Sequence, residues 1–140
     1  MKNETKEPKL EDMLSELDPP YESKEELQIG RVLDQYGIPF FYRQATIIYN
    51  EGQNEVWKPS FTVYPYGGLV IDYVPASEQD HNDELMRKEQ IYRYNQIPAV
   101  LLGSRDLKEP NWQEMLYGRI EQAYQQTFDP MRYISESVEK

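Results

Sequence analysis

Asp72 is the residue whose placement asks for chemistry. It follows Leu69-Val70-Ile71, a run apolar on both faces, as in a central strand covered by helices. A carboxylate buried there without a partner is strongly disfavoured, so it needs a counter-charge or a task. The residue types that could serve it are few. Ser60 stands after Pro59 in the preceding β-rich run, Glu26 lies on a helical stripe, and His81 and Lys88 fall in the segment after Asp72. Ser60, His81 and Asp72 can be written as nucleophile, base and orienting acid, but no nucleophile elbow accompanies them. With a single histidine and no cysteine, a multi-histidine metal site, a thiolate site and a disulfide are all excluded. Gly67-Gly68 lacks the Lys-Ser/Thr that a phosphate-cradling loop requires and reads as turn chemistry.

The sequence Pro59-Ser60, a hairpin, then Asp72-Tyr73-Val74 resembles the PD-(D/E)XK nuclease superfamily, the restriction-endonuclease-like fold. The resemblance implies an Asp after the proline, an acidic residue in the next strand and a Lys two residues later. Pro59 and Asp72 match, whereas Ser60 replaces the first acid and Val74 replaces the Lys. It also implies a Glu from the first helix as an auxiliary metal or water ligand, the position of Glu26. In some members the Lys comes from the helix after the motif strand, and Lys88 is the candidate for that relocated role.

Phosphodiester hydrolysis of that kind needs a divalent cation, magnesium or manganese, held by hard oxygen ligands. Ser60 is neutral where a carboxylate would face the cation, and the lost charge removes much of the attraction. Val74 can neither orient water nor offset charge. Asp72 with Glu26 would hold Mg or Mn weakly, and no resident cofactor is expected. The expectation is therefore a catalytically degenerate domain, a pseudo-nuclease, that serves a protein-interaction role. Two alternatives stay open: a divergent Mg-dependent nuclease using Glu26, Asp72 and Lys88, and a non-catalytic nucleic-acid-binding domain. Each named residue also has a plainer use. Glu26 can cap its helix, and Lys88 can lay its stem over apolar surface with its ammonium in water.

Charge bears on the partner. The 140 residues carry 15 basic and 25 acidic groups, a net charge of −10. Duplex DNA binders usually show a basic footprint, so nucleic acid is disfavoured and protein is the better expectation. Arg43, Lys58, Arg105 and Lys108 are the bases that could still form a local positive patch. The 12 tyrosines divide into core or boundary residues (Tyr36, Tyr73, Tyr92, Tyr124) and more exposed ones (Tyr64, Tyr66, Tyr94, Tyr117) fit to anchor a partner. No apolar run approaches the roughly 20 residues of a membrane span, the charged N-terminus is no signal peptide, and a cytoplasmic location is expected.

The positioning elements follow from periodicity. Residues 1–20 form an acidic segment with Leu10, Met13, Leu14 and Leu17 on one helical stripe. Residues 21–128 form a single α/β domain, and 129–140 a tail. A helix over Ser23–Tyr36 carries capping-box spacing at Ser23 and Glu26, a buried stripe of Ile29, Val32, Leu33 and Tyr36, and a stop at Gly37. Ile38–Asn50 reads as one strand, Glu51–Asn54 as a turn, Val56–Val63 as a second strand and Leu69–Val74 as a third, together a meander. A helix over Glu78–Tyr94 places His81, Leu85, Lys88 and Tyr92 on one face. With the strand Ile97–Leu102 it makes a parallel crossover. A last helix buries Trp112, Leu116, Ile120 and Ala123. The order is αβββαβα, a mixed central sheet of about four strands flanked by helices.

Overall fold

The computed structural model describes residues 20–75 and 81–128. The expected Leu10–Leu17 stripe, the tail from 129 and the side chain of His81 lie outside the described residues. Within them the elements are α1 (Lys24–Gln35), β1 (Phe41–Tyr42), β2 (Thr46–Asn50), β3 (Gln53–Trp57), β4 (Phe61–Val63), β5 (Leu69–Tyr73), α2 (His81–Tyr94), β6 (Ala99–Leu102) and α3 (Trp112–Phe128). The architecture is α/β, as the residue pattern implies: a mixed four-stranded sheet in the order β1-β4-β5-β6, with β2 and β3 set apart as a two-stranded sheet.

Two expected strands are each broken in two. Ile38–Asn50 splits at Arg43, whose φ of 56° lies in the left-handed region and turns the chain out of the sheet. Val56–Val63 splits at Lys58-Pro59-Ser60, where Pro59 has no N–H for a ladder. The meander thus becomes β1, β4 and β5 paired antiparallel in the main sheet, while β2 and β3 form a separate hairpin. Glu51 (φ 52°) and Gly52 (φ 80°) make its two-residue turn, both central residues left-handed as a tight hairpin requires. Beyond β5 the crossover through α2 returns as β6, parallel to β5 with Asp72 opposite Leu101.

Alternation along β5 assigns the two faces of the sheet. Leu69, Ile71 and Tyr73 join Phe61, Val63, Val100 and Leu102 in a core under Ile29, Val32 and Leu33 of α1 and Leu116 and Ile120 of α3. Val70 and Leu101 look the other way, into a smaller cluster with Ile48 of the hairpin and Tyr92 of α2. Tyr36, expected in the buried stripe of α1, is instead 44% exposed beyond the last turn and packs against Tyr117. No helix among the described residues is long and apolar enough to cross a membrane.

Tyr21 closes the first core by lying across Gly30 of α1. A Cβ at position 30 would stand 2.6 Å from the Tyr21 Cζ atom. In Gly30→Ala the helix-propensity gain of about 1 kcal/mol is opposed by displacement of this buried ring, an overpacking strain of about 1–3 kcal/mol. Urea denaturation should show a lower midpoint than wild type; an unchanged or raised midpoint would mean that Tyr21 yields freely.

Candidate functional site

The end of β5 and the middle of α2 bring a carboxylate, an amine and a phenol together. Asp72 is 6% exposed. Its Oδ2 accepts from the Tyr92 hydroxyl at 2.9 Å and from the Lys88 ammonium at 3.4 Å. Its Oδ1 accepts from the backbone N–H of Ser60 at 3.3 Å. Lys88 and Tyr92 are four residues apart on α2 and so share one helix face. The Lys88 ammonium also sits 5.6 Å from the centre of the Trp57 ring, a cation–π contact. Trp57 meets Tyr92 edge-on, with ring centres 5.3 Å apart. The Trp57 indole N–H is fixed by Glu55 at 2.9 Å.

Burial and then the adjacent Asp72 carboxylate hold the Tyr92 hydroxyl above the ordinary phenol range. It remains a proton donor to Asp72 at any ordinary pH. The second carboxylate oxygen is therefore shared between a neutral hydroxyl and a cation, and the desolvated charge is compensated from three directions.

Ser60 and Val74, the two positions expected to depart from the motif, have structural uses. Ser60 is buried, and its Oγ accepts from the Tyr73 backbone N–H at 3.1 Å. Together with its own N–H on Asp72, this makes Ser60 a bracket between β4 and β5. Val74 is a buried apolar residue whose N–H continues the parallel ladder to the Leu102 carbonyl at 2.8 Å.

Glu26 is not brought to Asp72. It is 1% exposed on the α1 side of the sheet, whereas Asp72 faces α2. Its Oε1 accepts from the Ser23 hydroxyl at 3.1 Å and from Tyr42 at 3.0 Å, and its Oε2 pairs with Arg43 at 2.9 Å. The Ser23 Oγ also accepts the Glu26 N–H, so the hydroxyl half of the expected capping box is present, whereas the Glu26 carboxylate goes to the Ser23 hydroxyl, Tyr42 and Arg43 and holds β1. The left-handed turn at Arg43 accompanies this pairing: Phe41 and Tyr42 alternate across the sheet, and the guanidinium comes to lie on the Tyr42 side beside Glu26. Burial opposes the Arg43 charge, but Glu26, Tyr42 and Glu22 outweigh it and raise its pKa further.

An open cleft of about 480 Å³ lies over Asp72. Its walls are Asn50, Glu55 and Trp57 of the hairpin, Lys58 and Pro59 of the link, and Arg87, Lys88 and Tyr92 of α2. Sequence spacing suggests Asp72 and Lys88, with Tyr92 on the Lys88 face and Lys58 as a patch base, but not Asn50, Glu55, Trp57 or Arg87. Glu55 precedes Pro59 by four residues and looks remote until β2 and β3 fold back over the sheet. Tyr92, an aromatic at helical spacing, reads as core; it is core, yet its hydroxyl is the shortest contact to Asp72. As a ligand set for Mg or Mn the arrangement is poor. Ser60 turns its oxygen to the backbone, Glu26 is across the sheet, and no three His, Cys, Asp or Glu side chains cluster among the described residues.

Comparison with known proteins adds one likeness. The chain is similar to the homing endonuclease I-Bth0305I catalytic domain, at 15% identity and a TM-score of 0.46 over 76% of this chain and 99% of that one. No family model matches it, and no curated protein matches it.

Tyr92→Phe isolates the phenol. At neutral pH it should destabilise the fold by about 1–3 kcal/mol, since a buried acceptor loses a partner. Wild type should lose stability as pH rises past 10.0, the ordinary tyrosine value, because unfolding frees a phenol that then ionises while the folded one keeps its proton. Phe at 92 should make that alkaline decline shallower but not abolish it, because Tyr66, pushed up to about 12 by burial and Glu121, contributes in the same direction. Urea midpoints measured against pH read both effects; parallel alkaline slopes would contradict the assignment.

Proposed function

We propose that this chain is a catalytically degenerate domain on a PD-(D/E)XK-like scaffold, serving a protein-interaction role without nuclease turnover. The observation that carries the reading is the state of Asp72: both oxygens are engaged by groups of the protein itself, and the nearest charge is the Lys88 ammonium at 3.4 Å. An ammonium supplies the counter-charge that a divalent cation would otherwise supply, without the open coordination positions needed to activate water. The position after Pro59 contributes a hydroxyl directed at the β5 backbone, so the first acid has no substitute there.

One observation favours a second reading. A relocated lysine would have to reach the strand carboxylate, and Lys88 does so. A divergent Mg-dependent nuclease would then use Asp72 and Lys88 without Glu26.

Supercoiled plasmid incubated with purified protein and Mg²⁺ or Mn²⁺ separates the two. The proposal expects the plasmid to stay supercoiled. Nicking by wild type that disappears in Asp72→Ala would establish the nuclease instead.

A further inference from the structure

The cleft that covers Asp72 is a place where this acidic protein gathers positive charge. Three cations line it, Lys58, Arg87 and Lys88, against two carboxylates, Asp72 and Glu55. Both carboxylates are already bonded internally, Asp72 to Lys88 and Tyr92 and Glu55 to the Trp57 indole and the Asn50 amide. Lys88 is committed to Asp72 and the Trp57 ring. Lys58 and Arg87 are the two whose charge is left facing outward. Both are exposed, Lys58 forms no ion pair among the described residues, and Arg87 meets Glu84 only at 3.8 Å.

A second feature adjoins these cations. β3, which supplies Glu55 and Trp57 to the cleft and runs directly into Lys58, pairs among the described residues with β2 alone. Among those residues, one edge of it carries no strand. Val56, its penultimate residue, is 66% exposed beside Ile47 at 71%. An open edge with its apolar residues in water is suited to accept an added strand, through main-chain hydrogen bonds that a peptide can make.

We infer that the β3 edge and the Lys58–Arg87 rim together bind an extended acidic segment of another protein, with a glutamate or aspartate side chain of that segment between the two cations. This rests on the protein-interaction reading above and gives the partner its chemistry. Nucleic acid fits less well. A polynucleotide brings a charge at every residue and would carry most of them past two outward cations onto a chain of net charge −10. A peptide places its carboxylates selectively and offers backbone donors and acceptors to the strand edge.

The test is fluorescence anisotropy on the full chain with a labelled peptide of alternating Glu and Val. A Gln–Val peptide and a single-stranded oligonucleotide serve as rival probes. The Glu–Val peptide should bind, weaken as salt is raised, and lose affinity about tenfold or more in the double variant Lys58→Glu/Arg87→Glu. The Gln–Val peptide should bind far more weakly. Both substituted side chains are exposed, and an unchanged urea midpoint verifies that the variant is folded. Absent binding, equal binding of the two peptides, no change in the double variant, or tighter binding of the oligonucleotide would each overturn the site. These outcomes are independent of the plasmid assay: nicking would remove the loss-of-turnover reading and leave this site standing, whereas failed peptide binding removes the site and leaves that reading.

Discussion

A negative charge held 6% exposed at the end of a central strand is the constraint around which this domain is arranged. Left alone, a charge buried there would strongly destabilise its surroundings. The chain answers with a phenol, an ammonium and a backbone amide, drawn from α2 and from the residue before β4. Each answer also joins two elements. Ser60 ties β4 to β5, Lys88 and Tyr92 tie α2 to β5, and the Trp57 ring over Lys88 ties the hairpin to α2. Breaking such a group on one side alone leaves a buried charge uncompensated, which in general destabilises by about 3–5 kcal/mol.

The other side of the sheet repeats the device with different residues. Glu26 is buried against Arg43, Tyr42 and Ser23, and this cluster pins α1 to the edge strand β1. Two buried carboxylates, one on each face, thus each find an internal cation. The division has a functional consequence, because oxygens on opposite faces of a sheet cannot share one ion. The cleft over Asp72 is left lined by the Trp57 and Tyr92 rings, with the exposed Lys58 and Arg87 at its rim.

Much of this is legible in the residues, and the gaps have physical causes. Continuous burial of Leu69–Tyr73 follows from Val and Ile runs, and the helix that presents Lys88 follows from its spacing to Leu85 and Tyr92. The bias of Glu26 toward the interior is visible too, from its offsets to Ile29 and Leu33. Which face of the sheet it meets is not visible, because that depends on where α1 packs. Arg43 gives no warning of a left-handed backbone, since arginine has no preference for it and the conformation is imposed by the surrounding structure. Pro59 does give warning: a proline inside a β-rich run marks an edge or a break, and here it is a break. The hairpin's return over Asp72, which brings Glu55 and Trp57 into the cleft, is a long-range event that no local pattern encodes.

Isothermal titration of Mg²⁺ and Mn²⁺ into the wild-type protein tests most directly whether Lys88 has taken the place of a metal. No saturable heat is expected for either ion in wild type, and none in Asp72→Asn. Micromolar binding by wild type that vanishes in Asp72→Asn would mean that the carboxylate still serves a metal, and would contradict its replacement by Lys88.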